Sequence, residues 1–332
     1  MENLSLQQQN ELNAIFGTRV NYDYRERMLY MGDVGTMPKI VSKIAGKRMP
    51  AAIVQPVSLE EIVTLTRWAT ANSIPLIPRG KATSGYGGVI PMETGVVVEF
   101  NRMKGISVDA ENLTVTVQPG AVWIKVEEVL NQAGLTLKSY PTSAPSSTVG
   151  GWLATGGAGI GSYAAGYFEN IVTETMMVTP SGEAIRLTGQ DLAVVSGASG
   201  TTGFITSVTF MVEPLKARIK KAYAFNSRQD AAAFIQGIYT RKIPLWSVSF
   251  TNPEAIHYKN LMPAKGSNSK ENEQHTVIPE NYILLTVYEA SSNTEQELES
   301  LVKITNATIL APSIAEHEWD ERYSPMKAKR LG

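Results

Sequence analysis

Residues Pro78 to Gly88 read Pro-Arg-Gly-Lys-Ala-Thr-Ser-Gly-Tyr-Gly-Gly, with four glycines between Gly80 and Gly88. Glycine has no side chain to obstruct the backbone, so successive N–H groups can converge on one point. Such a concavity binds anions, phosphates above all. Thr83 and Ser84 add hydroxyl donors, and Arg79 and Lys81 add charge. The plain alternative is a glycine-rich surface loop. Two further stretches bear on the choice. Tyr140 to Tyr167 is rich in glycine and almost free of charge, and it carries Trp152 and Leu153. A polar linker has a different composition; small uncharged residues with a few aromatics suit backbone lying against a large planar ligand. A third glycine set follows at Gly197, Gly200 and Gly203.

Familiar nucleotide and hydrolase motifs do not fit. A P-loop needs glycine five residues before Gly80, where Pro75 stands, and a Ser or Thr where Ala82 stands. Gly157-Ala158-Gly159-Ile160-Gly161-Ser162 breaks the dinucleotide fingerprint at its last step. Ser84 and Ser199 lack the flanking glycines of a nucleophile elbow. His257, His275 and His317 have no metal-ligand spacing and read as surface histidines. The absence of cysteine removes disulfides, thiolate zinc sites and a cysteine-ligated iron–sulfur cluster within this chain.

The elements that must position these residues follow from periodicity. Leu4, Leu6, Leu12, Ile15 and Phe16 suggest a helix, and a second run covers Tyr22–Tyr30; both read as packing. A short helix is expected at Lys39–Ala45. Ala52–Gln55 reads as a buried strand, and Ser58-Leu59-Glu60-Glu61 as a capping box opening a helix to Asn72. Ile74–Pro78 is the next strand, so the glycine loop lies at the carboxyl end of a strand, where α/β sheets place ligands. Strands are expected at Val96–Phe100, Ile106–Asp109 and Leu113–Gln118, the last with Leu113, Val115 and Val117 on one face. A helix through Val122, Val126, Val129 and Leu130 ends at Gly134. Ile171–Thr179 and Ala184–Leu187 form a hairpin, and Phe204–Val212 is a strand. From Ala217 glycine becomes rare. Strands at Lys221–Phe225, Trp246–Thr251 and Tyr282–Tyr288 alternate with helices at Arg228–Arg241, Pro253–Leu261 and Thr294–Asn306, around a polar loop Ala264–Glu280. This is the pattern of a separate α+β domain with a helix-covered antiparallel sheet.

With 332 residues, 43% of them hydrophobic, one large or two ordinary domains are expected. The net charge of −1 gives no footprint for nucleic acid or an anionic membrane surface. Residues 1–20 lack a signal-peptide pattern and no apolar run approaches a membrane span, so the expectation is a cytoplasmic protein, membrane-associated only through partners.

Together these residues resemble the FAD-binding domain of the vanillyl-alcohol oxidase/p-cresol methylhydroxylase superfamily. Within it they are most similar to the flavin subunits of D-lactate dehydrogenase and glycolate oxidase. The resemblance rests on Val54-Gln55-Pro56, Pro78 to Ser84, Val117-Gln118-Pro119-Gly120 with Pro141-Thr142-Ser143, Thr148 to Gly159, and Gly197 to Thr206. It implies an α+β fold: a helical segment 1–47, a two-subdomain FAD-binding domain of the p-cresol methylhydroxylase type over 48–216, and a partial substrate-side cap domain over 217–332.

The resemblance also implies roles. Pro78, Arg79, Gly80, Lys81, Ala82, Thr83 and Ser84 would wrap the FAD pyrophosphate. Gly120, Pro141, Thr142, Ser143, Thr148, Gly150, Gly151, Thr155, Gly156, Ala158, Gly159 and Tyr167 would line the flavin and ribityl chain. Gly203, Ile205 and Thr206 would meet the adenine end. Glu316 to Arg322 resembles the segment where the family places an arginine on the substrate carboxylate, which makes Arg322 the one candidate catalytic residue; its fork suits a carboxylate. A salt bridge on a helix surface is the alternative role for it. The implied activity is oxidation of a small 2-hydroxy acid by hydride transfer to flavin. Electrons would pass to a separate acceptor, an iron–sulfur protein or domain. Histidine, the family's usual covalent tether, does not occur before His257, so dissociable FAD is expected. The family's histidine-rich catalytic cluster has no counterpart here. The chain is therefore expected to be a piece of a longer polypeptide, and a non-catalytic FAD-binding electron-transfer module is the alternative. Sugar reduction in cell-wall synthesis and alkyl-glycerone phosphate synthesis use related folds.

Overall fold

The computed structural model describes residues 4–35, 48–261 and 277–323; the helix expected at Lys39–Ala45 and most of the loop Ala264–Glu280 lie outside them. The chain divides into two compact units. The first holds the described residues up to Gly159 together with Tyr167–Leu215, and the second holds Ile160–Gly166 and the described residues from Lys216 onward.

The first unit opens with helix α1 (Leu6–Phe16), closed at its start by a capping box between Ser5 and Gln8. Leu12 and Phe16 are buried, whereas Leu6, expected on the same stripe, is 76% exposed. Strand β1 (Val20–Asn21) and the short helix α2 (Tyr24–Leu29) follow. Strands β2 (Ala52–Val54), β3 (Leu76–Arg79) and β4 (Val96–Glu99) join β1 in a sheet of order β1-β2-β4-β3, parallel except for β1. Helix α3 (Leu59–Asn72) makes the crossover from β2 to β3. Ile62 and Leu65 of α3 pack with Phe16, Val96 and Val98 into one core. Ser58 caps α3 by accepting from the Glu61 N–H at 3.3 Å. The expected box is only half made. The Glu61 carboxylate turns instead to the Arg19 guanidinium at 2.5 Å and the Val57 N–H at 2.9 Å, because a forked, charged partner binds a carboxylate more strongly than a lone amide.

The second sheet of this unit is antiparallel. It comprises β5 (Ile106–Asp109), β6 (Thr114–Val117), β7 (Leu135–Leu137), β8 (Val172–Val178), β9 (Ala184–Thr188) and β10 (Phe204–Pro214). The order is β5-β6-β10-β8-β9, with β7 also on β10. Val115 and Val117 point inward as the alternation requires, but Leu113 stands before the strand with a φ of 51°. Helix α4 (Trp123–Gln132) stops just before Gly134, whose φ of 72° is the left-handed stop expected there. The glycine-rich stretch Tyr140–Tyr167, for which no element was expected, contains helix α5 (Val149–Thr155), with the Thr148 hydroxyl accepting from the Gly151 N–H at 3.3 Å. Two glycines at its start lower helix propensity; the cap and the packing of Trp152 outweigh them. Trp152 stacks on Phe168 at 4.9 Å and meets Trp123 edge-on at 5.2 Å, and Phe210 of β10 lies 5.2 Å from Phe168.

The second unit is a βαβ-type α+β layer. Strands β11 (Arg218–Phe225), β12 (Ser247–Thr251), β13 (Tyr282–Glu289) and β14 (Thr308–Ile309) form an antiparallel sheet of order β12-β13-β11-β14. Helices α7 (Arg228–Thr240) and α9 (Ser292–Ile304) cover one face through Phe234, Ile238, Leu298 and Leu301 against Tyr223, Phe225 and Leu284. Helices α8 (Pro253–Leu261) and α10 (Pro312–Asp320) cover the other through Ile256, Ile314 and Ala315. The short helix α6 (Ser162–Ala165) also belongs here, held by the Tyr163 hydroxyl on the Ile243 carbonyl at 3.1 Å. Among the described residues, no helix is long and apolar enough to cross a membrane.

Candidate functional site

Strand β3 delivers the glycine loop. It pairs with β4 through Arg79 opposite Glu99, and after Arg79 the chain leaves the sheet. Ala82, Gly85 and Gly87 then take φ values of 52°, 74° and 82°. Among the described residues, the N–H groups of Gly80, Lys81, Ala82, Thr83, Ser84 and Gly85 donate to no protein acceptor. Lys81 is exposed and the other five residues are half-buried, so these N–H groups are available to solvent or to an anion at the cavity they border.

The cleft on this loop has a volume of about 400 Å³. Of the residues expected to hold a cofactor, Pro78, Arg79, Gly80, Ser84, Thr148, Gly150, Gly151, Thr155, Gly156, Gly203 and Ile205 line it. Three separate glycine-rich stretches therefore meet at one cavity. None of the lining residues is acidic, and Val89, Phe100, Pro119 and Ala154 make part of the wall apolar. Open donors, hydroxyls and apolar planes without opposing carboxylates fit the phosphates and ring system of FAD.

Lys81, Ala82, Thr83, Gly120, Pro141, Thr142, Ser143, Ala158, Gly159, Tyr167 and Thr206 are not among the lining residues. Several have other work. The Lys81 ammonium donates to the Asn101 side chain at 3.0 Å. The Ser143 hydroxyl donates to that of Ser147 at 3.0 Å. Thr206 sits at a bulge in the β10–β8 ladder and donates to the Met176 carbonyl at 3.1 Å. A side chain at Gly120 would strike the Phe100 carbonyl, and one at Gly159 the Tyr140 carbonyl. The Arg79 guanidinium turns toward the carbonyls of Gly32 at 3.0 Å and Tyr30 at 3.4 Å and lies 4.8 Å from the Tyr30 ring. Burial pulls Arg79 below the usual arginine value, while nearby Tyr30, Glu99 and Asp33 act in the opposite direction. Burial, with Glu99 adding to it, pushes the Tyr30 hydroxyl well above the usual tyrosine value.

The lining residues missed from sequence are Tyr86, Gly88, Val89, Phe100, Pro119, Ala154, Ser199 and Gly200. Tyr86 and Gly88 stand in the opening loop itself, and Tyr86 is 90% exposed. Pro119, Ser199 and Gly200 stand in segments already singled out. Phe100 comes from the end of β4 and carried no signal of its own. The glycine at position 80 has a second use: a Cβ there would come within 2.5 Å of the Thr148 hydroxyl oxygen, so the loop presses on the start of α5.

Arg322 lies in the second unit. Its guanidinium donates to the Trp319 carbonyl at 2.8 Å and lies 4.2 Å from the Trp319 ring and 4.3 Å from the Tyr323 ring. His257 pairs with Glu280 at 2.9 Å on a half-exposed surface.

Residues 50–188 match the model of the FAD binding domain family. The chain is also a distant homologue of longer proteins. It is 31% identical over 56% of its length to the glycolate oxidase subunit GlcD of Bacillus subtilis, of which it covers 42%. It is 25% identical over 78% of its length to a D-lactate dehydrogenase of Archaeoglobus fulgidus, of which it covers 58%. A solved structure of an alkyldihydroxyacetonephosphate synthase superposes with a TM-score of 0.82 over 98% of this chain and 63% of that one, at 22% identity; this likeness concerns the fold. The chain thus spans about half the length of the curated relatives it matches.

Proposed function

We propose that the chain is the flavin-binding part of an FAD-linked oxidoreductase that oxidises a small 2-hydroxy acid of the D-lactate or glycolate type. The observation that carries the proposal is a cavity lined by three glycine-rich stretches without a carboxylate, bordered by the loop 80–85 whose N–H groups donate to no acceptor among the described residues. The homology to D-lactate dehydrogenase and a glycolate oxidase subunit supports the substrate class. The backbone of residues 80–85 and the Ser84 hydroxyl would hold the pyrophosphate. Gly150, Gly151 and Gly156 would let α5 and the turn after it approach the flavin and ribityl chain, and Gly203 and Ile205 would meet the adenine end. Once bound, FAD supplies the acceptor for an electron pair. Phe100, Pro119 and Ile205 would exclude water from one wall. Arg322, its fork set by the faces of Trp319 and Tyr323, would take the substrate carboxylate. FAD would be held without a covalent bond, since no histidine or cysteine stands in residues 50–188. The naming of one relative as a subunit supports an assembly with other chains; the electron acceptor would be a separate iron–sulfur protein or domain.

The test is reconstitution with FAD followed by anaerobic titration with D-lactate and with glycolate. Loss of absorbance near 450 nm with either acid is the expected result. Retained FAD with no bleaching by either acid would mean a flavin-binding module without this activity. A protein that stays colourless after incubation with FAD would overturn both readings.

A further inference from the structure

We infer that Asp33, with the segment Tyr30–Gly35 around it, is the positioning device that holds the loop 79–87 open for its anion; the inference rests on the flavin-binding reading above. Residues 4–31 gave no sign of chemistry in the sequence, yet the end of this region lies against the loop. Four hydrogen bonds join the two. The Arg79 guanidinium donates to the carbonyls of Tyr30 and Gly32 at 3.4 and 3.0 Å. The Val34 N–H donates to the Ala82 carbonyl at 3.2 Å. The Gly87 N–H donates to one oxygen of the Asp33 carboxylate at 2.8 Å. The other oxygen accepts from the Gly35 N–H at 2.8 Å, which fixes the carboxylate in one orientation. The two backbones are pressed together closely enough that a side chain at Gly35 would overlap the Gly85 carbonyl.

The choice of atoms carries the argument. The segment takes the loop by a side chain, by one carbonyl and by the N–H of Gly87, and it uses none of the open donors of residues 80–85. It fixes the shape of the cradle and leaves the cradle free. A loop with positive φ at Ala82, Gly85 and Gly87 has many alternatives when untied, and ordering it costs conformational entropy. Tying it before binding lowers that cost and slows escape of what is bound. An aspartate beside a phosphate site would repel its ligand if its charge were unopposed. Here both oxygens are occupied by N–H groups and Arg79 is nearby.

The experiment compares the parent chain with Asp33→Ala, which loses both acceptors, and Asp33→Asn, which keeps one carbonyl oxygen. FAD release after rapid dilution is followed by flavin fluorescence, and amide hydrogen exchange of residues 79–88 is measured in FAD-free protein. Asp33→Ala is expected to release FAD about tenfold faster or more and to lose protection at Gly87, with the melting temperature of the FAD-free protein little changed. Asp33→Asn, the milder variant, is expected to fall between. A parent that holds FAD alongside variants with the same release rate and the same exchange overturns the role of Asp33 and leaves the flavin reading standing. A parent that takes up no FAD overturns the flavin reading, and the function assigned to Asp33 goes with it.

Discussion

In the loop 80–88 glycine leaves backbone donors open, and in the stretch 148–159 it lets pieces of the fold touch. Residues 80–85 donate no backbone hydrogen bond among the described residues. The start of α5 is engaged throughout: Val149 N–H on the Ala121 carbonyl at 2.9 Å, Gly150 N–H on that of Pro119 at 3.0 Å, and Gly151 N–H on the Thr148 hydroxyl at 3.3 Å. A Cβ at Gly150 would come within 2.5 Å of the Pro119 ring. Two stretches of similar composition border the same cleft, one with backbone donors left open among the described residues and one as packed structure. Glycine content therefore locates a close approach without saying what approaches. At Gly150 it is the protein's own chain, and at residues 80–85 the proposed ligand would join it.

The difference can be broken by substitution on either side. The largest effect is expected at Gly150. Gly150→Val should lower the unfolding free energy by about 3 kcal/mol, the upper range for overpacking. The loss should already appear in FAD-free protein in urea denaturation; a loss confined to FAD binding would make the two stretches alike. Next comes Ser84→Ala. Removing one hydroxyl donor to a charged group costs about 1.5–3 kcal/mol, so the Kd for FAD should rise about tenfold to a hundredfold while the melting temperature of FAD-free protein holds. An unchanged Kd would take Ser84 out of the cradle. The smallest effect is expected for Thr206→Val. Its hydroxyl is engaged by the Met176 carbonyl, so stability should fall by about 1 kcal/mol with FAD affinity unchanged. A large change in affinity would restore Thr206 as a cofactor contact.

Much of this was legible in the chain. The strand and helix periods, the stop at Gly134 and the hairpin at Pro180–Glu183 come from short-range chemistry that neighbouring residues carry by themselves. So did the position of the loop after β3. Helix α5 was not legible, because Gly150 and Gly151 argue against a helix that Thr148 and the aromatic cluster impose from outside. Trp152 read as a ligand-facing aromatic for the same reason: its partners, Trp123, Phe168 and Phe210, are distant in sequence.

What the sequence by itself determined is three glycine-rich stretches set among β-rich sequence, because backbone freedom and donor chemistry are local properties; their joint role at a flavin is what the family resemblance implied. Only the tertiary structure decided which residues of those stretches face the cleft and which face the protein, and that Asp33 holds the loop. Those outcomes depend on which atoms, far apart in the chain, come within hydrogen-bonding distance or collide, and no local pattern records it.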